Sequence, residues 1–161
     1  MAPPRANRRA AAGDVDAYTC TPMLSDAEVE ACLPVMAQLR AQLGPQPAPA
    51  QWLARVRSME REGYRLVAAR DAAGVAAVAG YRIFDSIARG GRSMYVDDLV
   101  TDAARRSRGA GKALMDWLVA TARSEGCRSL SLDSGVQRHA AHRFYMREHM
   151  HIVAYHFRIE L

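Results

Sequence analysis

Arg106-Ser107-Arg108-Gly109-Ala110-Gly111-Lys112 is the stretch of this 161-residue sequence whose residue types and spacing could do chemistry. It lies between a strand-like run and a strongly periodic helical one. A loop so placed presents unpaired backbone N–H groups at a helix start, where the macrodipole favours an anion. Gly109 and Gly111 let the main chain approach a phosphate with no Cβ in the way. Arg106, Arg108 and Lys112 add charge-assisted contacts. The chemistry this predicts is the binding of a pyrophosphate. Two other phosphate loops fail on their letters. A Walker-type loop, Gly-x-x-x-x-Gly-Lys-Ser/Thr, needs glycine where Arg106 stands and a hydroxyl where Ala113 stands. The dinucleotide pattern needs a third glycine at the position of Leu114.

The histidines and cysteines make no comparable set. His139 and His142 are spaced i,i+3 in a histidine-rich C-terminal third. No cysteine or acidic third ligand accompanies them at a metal-binding spacing, so no metal is expected. Cys20, Cys32 and Cys127 are odd in number and far apart, forming neither a zinc spacing nor a disulfide framework. A reducing cytoplasm is the expected compartment.

The elements that must hold the loop follow from periodicity. Residues 18–23 read as a short first strand ended by Pro22. Ser25 or Asp26 can cap a helix whose apolar positions Val29, Cys32, Leu33, Met36, Leu39 and Leu43 recur at helical spacing, with a kink predicted at Pro34. The proline-rich residues 44–49 are the clearest loop signal, and a second helix over 50–62 stops at Gly63. Strands at 64–69, 75–84 and 93–101 follow, and the two short connections between them imply antiparallel pairing. A helix at 110–124 carries Leu114, Trp117 and Leu118 on one face and ends at Gly126. A strand at 128–133, a helix at 140–148 and a closing strand at 152–161 complete the order. The predicted class is α/β: a single domain with one mixed, mostly antiparallel sheet flanked by helices on both faces.

Half of the residues are hydrophobic and 24% are charged, so the chain is globular, and its length allows one domain. The formal charge of +5 is uneven. Arg5, Arg8 and Arg9 fall in a patternless opening stretch, and without them the remainder carries +2. Residues 1–13 read as a disordered basic tail and 14–161 as the domain. Lys112 is the only lysine, and the arginines scatter over every segment rather than collecting on one face, which disfavours nucleic acid as a partner. No apolar run approaches the ~20 residues of a membrane span, so no membrane association is expected.

Arg106-x-x-Gly109-x-Gly111, after a strand ending Asp97-Asp98-Leu99-Val100-Thr101-Asp102, resembles the coenzyme A pyrophosphate loop of the GNAT superfamily of acyl-CoA-dependent N-acetyltransferases. Gly126-Cys127-Arg128 leading into residues 130–133 is similar to that family's next strand. Ala141-His142-Arg143-Phe144-Tyr145 resembles the late helix that usually carries a tyrosine beside the thioester sulfur. The resemblance runs from about residue 18 to the end. It departs at Arg138, where the family often has asparagine, and at Glu148-His149-Met150, where Gly-Phe is usual.

The resemblance implies acetyl-CoA as co-substrate. It implies Arg106, Ser107, Arg108, Gly109, Ala110, Gly111 and Lys112 as the pyrophosphate cradle, and the backbones of Leu99, Val100 and Thr101 along the pantetheine arm. Tyr145, a phenol protonated at neutral pH, is then the general acid for the departing thiolate. Asp97 and Asp98 are candidate bases. Being adjacent on a strand they should face opposite sides of the sheet, so that only one reaches the acceptor cleft. Asp97 shares parity with Leu99 and Thr101, and Asp98 with Val100. The loop at 44–49 is expected to border the acceptor pocket. The expected reaction is direct attack on the thioester, in a ternary complex, by a primary amine of a small molecule or peptide, since no cysteine occupies a nucleophile position. The alternative is a module of the same fold that binds acyl-CoA as a sensor without turnover. Dimers are common among the relatives it resembles, so a homodimer is a further expectation by analogy.

Overall fold

A capping box starts the first helix. The Glu28 amide donates to Ser25 Oγ at 3.3 Å, and Glu28 Oε2 accepts from the Ser25 amide at 2.9 Å. In the computed structural model, which describes residues 18–39, 41 and 45–161, this helix is α1 (Asp26–Leu39), and it continues through Pro34. The tail read over residues 1–13 and the boundary at 14 lie outside the described residues. The remaining elements are β1 (Thr19–Pro22), α2 (Pro49–Glu60), β2 (Tyr64–Asp71), β3 (Gly74–Ser86), β4 (Gly91–Thr101), α3 (Ala110–Ser124), β5 (Ser129–Leu132) and α4 (His139–Arg147).

The sheet has the order β1-β2-β3-β4-β5. Neighbours are antiparallel from β1 to β4, and β5 joins parallel to β4. A parallel neighbour needs a crossover, and α3 supplies it. One face of the sheet packs against α3 through Met94, Val96, Leu114 and Leu118. The other packs against α1 and α2 through Val29, Cys32, Val56, Leu66 and Val78. Each of these side chains is at most 2% exposed, so both faces are closed to water. The mixed, mostly antiparallel α/β class read from the sequence is the one observed.

Two irregularities in β4 matter for function. Gly80 of β3 stands opposite Asp98, and the next residue, Tyr81, stands opposite Val96. Asp97 is therefore an extra residue, a bulge, and a bulge resets the alternation of side chains. Met94 and Val96 face α3 before it; after it Leu99 does, while Val100 joins the opposite core. The pairing of β4 with β5 also ends at this place. It covers residues 93–96 only, so from Asp97 onward no described strand lies beside that edge of β4.

Gly80 has a steric task. The Tyr64 hydroxyl and ring carbons occupy the place where its Cβ would project. Through that gap the buried Tyr64 reaches across β3 and donates to Asp98 Oδ2 at 3.0 Å.

The closing strand expected at 152–161 is not formed. After α4, His149 turns through a left-handed conformation (φ 62°), within the Glu148-His149-Met150 stretch where the sequence departs from the resembled family. Residues 151–161 then run without ladder partners and are exposed throughout. Their alternating apolar pattern favours a strand only where a neighbour offers hydrogen bonds and a surface. Among the described residues the segment is tied down by His156 Nδ1, 2.7 Å from Asp133 Oδ2.

Gly80→Ala should destabilise the fold by about 1–3 kcal/mol, the usual cost of overpacking. Urea unfolding checks this. Combined with Tyr64→Leu, the added loss from Gly80→Ala should shrink, because the two substitutions contest one space.

Candidate active site

The approach to the glycine loop is braced from three sides. Asp102 caps a short 3-10 turn (Ala103–Arg105) by accepting from the Ala104 amide at 3.2 Å. Gln38 of α1 accepts from the Ala103 amide at 2.8 Å and donates to Asp102 Oδ1 at 3.2 Å. Arg105 donates to the carbonyls of Gly74 and Val75 and pairs with Asp71, fixing the turn to the β2–β3 hairpin.

Beyond this brace the main chain twice enters the left-handed region, at Ser107 (φ 61°) and at Gly109 (φ 91°), which is the N-cap of α3. Arg106, Ser107 and Arg108 are exposed, whereas Ala110 is buried and seats the helix on the core. The first amides of α3 have no intrahelical acceptor, and a Cβ at Gly109 would meet nothing within 4 Å. Amides converging on open space beside exposed guanidinium groups fit a diphosphate. Lys112 is set apart from this group. Its Nζ lies 2.8 Å from Asp116 Oδ2 and 3.6 Å from Glu148 Oε2, and the Asp116 carboxylate holds its pKa above the ordinary lysine value.

The loop, β4 and α4 meet at Gly111. A Cβ there would stand 3.0 Å from Thr101 Oγ1 and 3.7 Å from the Phe144 ring. Phe144 in turn makes an edge contact with Tyr145, ring centroids 5.6 Å apart. Burial pushes the Tyr145 phenol up from its ordinary value, with Arg138 opposing weakly, so it stays protonated at neutral pH. Leu99 is partly buried on the α3 side and Val100 is buried on the other. Their roles as side chains are in the core, which leaves only their backbone groups for a ligand at the β4 edge.

Asp97 and Asp98 do not face opposite ways. Asp98 accepts from Tyr64, and Asp97 Oδ2 is 3.2 Å from Arg82 Nε, while the Arg82 guanidinium stacks over the Tyr64 ring at 5.6 Å. Tyr64 and Arg82 are register partners on the α1/α2 side of the sheet. The bulge thus brings both carboxylates to that side, correcting the simple alternation expected of a strand. Burial raises the Asp97 pKa, with Arg82 pulling the other way. Burial, and next Asp98, drive the Tyr64 phenol far above its ordinary range, so it acts only as a donor.

Tyr64, Arg82 and Tyr95 belong to this cluster and were not found by sequence reasoning. The available signal was Gly80, a lone glycine inside an apolar strand, which marks close approach by another group. Tyr95 donates to Asp133 Oδ2 at 2.8 Å. Beside the cluster, between α1, α2 and the sheet, lies a cavity of about 370 Å³ with Tyr64 and Asp98 in its wall and Pro45 and Pro47 of the proline-rich loop at its border. No group of three metal-binding side chains occurs among the described residues. His142 instead contacts the Gly135 carbonyl at 3.0 Å. The three cysteines are free, and burial pushes the Cys32 thiol up to about 12, far from a reactive thiolate. No helix among the described residues is long and apolar enough to cross a membrane.

Comparison with known proteins identifies the family and the fold. Residues 33–150 match the acetyltransferase (GNAT) family. The uncharacterised N-acetyltransferase YhdJ of Bacillus subtilis (strain 168) is 37% identical over 113 residues, spanning 70% of this chain and 76% of that protein. Among solved structures, a transcriptional regulator from Bacillus halodurans C-125 superposes with a TM-score of 0.79 at 17% identity, covering 89% of this chain and 99% of that one. The putative acetyltransferase from Agrobacterium tumefaciens str. C58 has a TM-score of 0.78 at 21% identity with the same coverages. These two likenesses bear on the fold.

Tyr95 offers a test of the cluster's electrostatics. Burial and then Asp133 push its pKa up to about 12, against roughly 10 for a free phenol. The native state therefore holds this proton more tightly than the unfolded chain. Its contribution is complete below pH 10 and should be lost as pH rises through about 12. Urea midpoints should fall across that window, and less steeply for Tyr95→Phe; parallel declines would count against the assignment.

Proposed function

This chain belongs to the acetyltransferase (GNAT) family, and on that premise we propose that it transfers the acetyl group of acetyl-CoA to a primary amine by direct attack in a ternary complex. The observation that carries the reading is the parting of β4 from β5 after Val96, beside the start of α3. It leaves one strand edge and one helix N-terminus free for the two ends of the same elongated co-substrate.

In this reading Arg106, Ser107, Arg108, Gly109, Ala110 and Gly111 receive the pyrophosphate, with Lys112 reaching it only by exchanging its carboxylate partners. The backbones of Leu99, Val100 and Thr101 pair with the pantetheine amides as an added strand would. An amide of the same edge near Leu99 donates to the oxygen that becomes negative as the thioester carbonyl is attacked. Acetyl-CoA supplies the activated acyl group.

The amine arrives as an ammonium, with a pKa of roughly 10, and must lose a proton before it attacks. Asp98, held by Tyr64, orients it. Asp97, whose proton affinity burial has raised, takes the proton directly or through a water. The new C–N bond forms as the C–S bond breaks, Tyr145 passes its phenolic proton to the departing thiolate, and the acylated nitrogen sheds its second proton to water. Solvent then reprotonates Tyr145 and takes up the proton held by Asp97. The acceptor is a small-molecule or peptide amine.

Two substitutions separate binding from chemistry. Gly109→Glu places a carboxylate in the phosphate site; the position has open space around it, but its φ of 91° strains any side chain. Gly109→Ala therefore serves as a control with the same backbone strain and no added charge, and thermal melting checks that both variants are folded. Acetyl-CoA binding by calorimetry should vanish in Gly109→Glu; unchanged affinity would remove the loop assignment. Tyr145→Phe should lower kcat by about 100-fold or more, a general acid's usual contribution, with acetyl-CoA affinity nearly unchanged. Equal losses in both would make Tyr145 structural. Binding of acetyl-CoA with no thiol released by any amine would leave a binding module rather than an enzyme.

A further inference from the structure

The cavity beside Asp98 restricts what the acceptor can be. Its wall is built by Leu33 and Met36 of α1 and by Trp52, Val56 and Met59 of α2. The indole N–H of Trp52 already donates to the Val29 carbonyl at 3.4 Å, so that ring offers the cavity carbon. Among the described lining residues the ionisable groups are Arg55, exposed at the rim, and the Asp98 carboxylate and Tyr64 phenol on the sheet side. The cavity is thus apolar along its length and polar where it meets β4.

Its volume of about 370 Å³, at about 30 Å³ per water-sized group, holds roughly a dozen non-hydrogen atoms. A polyamine lodged there would carry further ammonium groups into an apolar space that offers one carboxylate and, at the rim, a guanidinium. Unpaired charge in such surroundings is strongly unfavourable. A polyhydroxylated amino sugar would find polar side chains only at the ends, Gln46 and Arg55 where the cavity opens and Tyr64 and Asp98 at the sheet, and most of its hydroxyls would lie against the apolar wall. An aryl or alkyl group loses nothing by entering.

Resting on the acetyl-transfer reading above, we infer that the acceptor is a singly charged primary amine on an apolar body, an arylalkylamine or alkylamine, with its body in this cavity and its nitrogen beside Asp98. Trp52 and Met59 then act as specificity-determining residues on the exposed helix, remote from the bonds that change.

The experiment is a chain-length series. Thiol release from acetyl-CoA is followed with propylamine, butylamine, pentylamine and hexylamine, then phenethylamine, spermidine and an aminoglycoside. The ratio kcat/KM should rise about fourfold per added methylene, the factor that corresponds to about 0.8 kcal/mol per buried CH₂. Phenethylamine should match the longer alkylamines, and spermidine and the aminoglycoside should fall at least tenfold below them. In Trp52→Ala the rise per methylene should flatten, with retained acetyl-CoA affinity showing that the variant is folded. A flat series in the parent protein, or preference for the polycations, overturns the inference and leaves acetyl transfer standing. Binding gives a second readout that needs no turnover. Hexylamine should change the fluorescence of Trp52, and propylamine less; the signal should disappear in Trp52→Phe. That signal without thiol release would keep the apolar-amine site and overturn the transferase reading, whereas neither signal nor release overturns both.

Discussion

At Asp97 the fourth strand carries one residue more than the third can match, and the rest of the site depends on that surplus. A bulge bends its strand and sharpens the local twist. Here the bend falls where the ladder to β5 stops, so β4 turns away from a neighbour it has followed for four pairs. The same residue shifts the side-chain alternation, so Asp97 and Asp98 share a face while Leu99 returns to the α3 core. One local irregularity therefore provides both a free backbone edge and a paired set of carboxylates. Neither would exist on a regular strand.

The two halves of the proposed site are held by different forces. The glycine loop rests on hydrogen bonds from Gln38, Asp102 and Arg105, which fix main-chain direction. The carboxylate cluster rests on burial and stacking: Tyr64 fills the gap over Gly80, and Arg82 lies across its ring while pairing with Asp97. Loss of a hydrogen bond in the brace would loosen one loop. Loss of the Tyr64 ring would open the core beneath two carboxylates, a far larger disturbance.

Much of this was legible in sequence. The helix expected at 110–124 has those bounds, because its apolar face, its glycine start and Gly126 act together. The meander and the β5 strand followed from alternation and turn residues. The bulge was not legible, since it is defined by pairing between β3 and β4, and the run through Asp97 contains no glycine or proline to announce it. Tyr64 was missed because its partner is thirty-four positions away along the chain. The final strand was misread for a related reason: residues 152–161 have the composition of a strand, but composition does not supply a neighbour.

That last segment sets the molecule's behaviour in solution. Ile152, Val153, Tyr155, Phe157, Ile159 and Leu161 stand 76–115% exposed on residues that make no ladder. So much wetted apolar surface is unusual for a soluble monomer. Excluded salts such as sulfate strengthen association between surfaces of this kind. Precipitation in ammonium sulfate should therefore depend on this short stretch of the polypeptide, where six of the exposed large apolar side chains follow one another within ten residues.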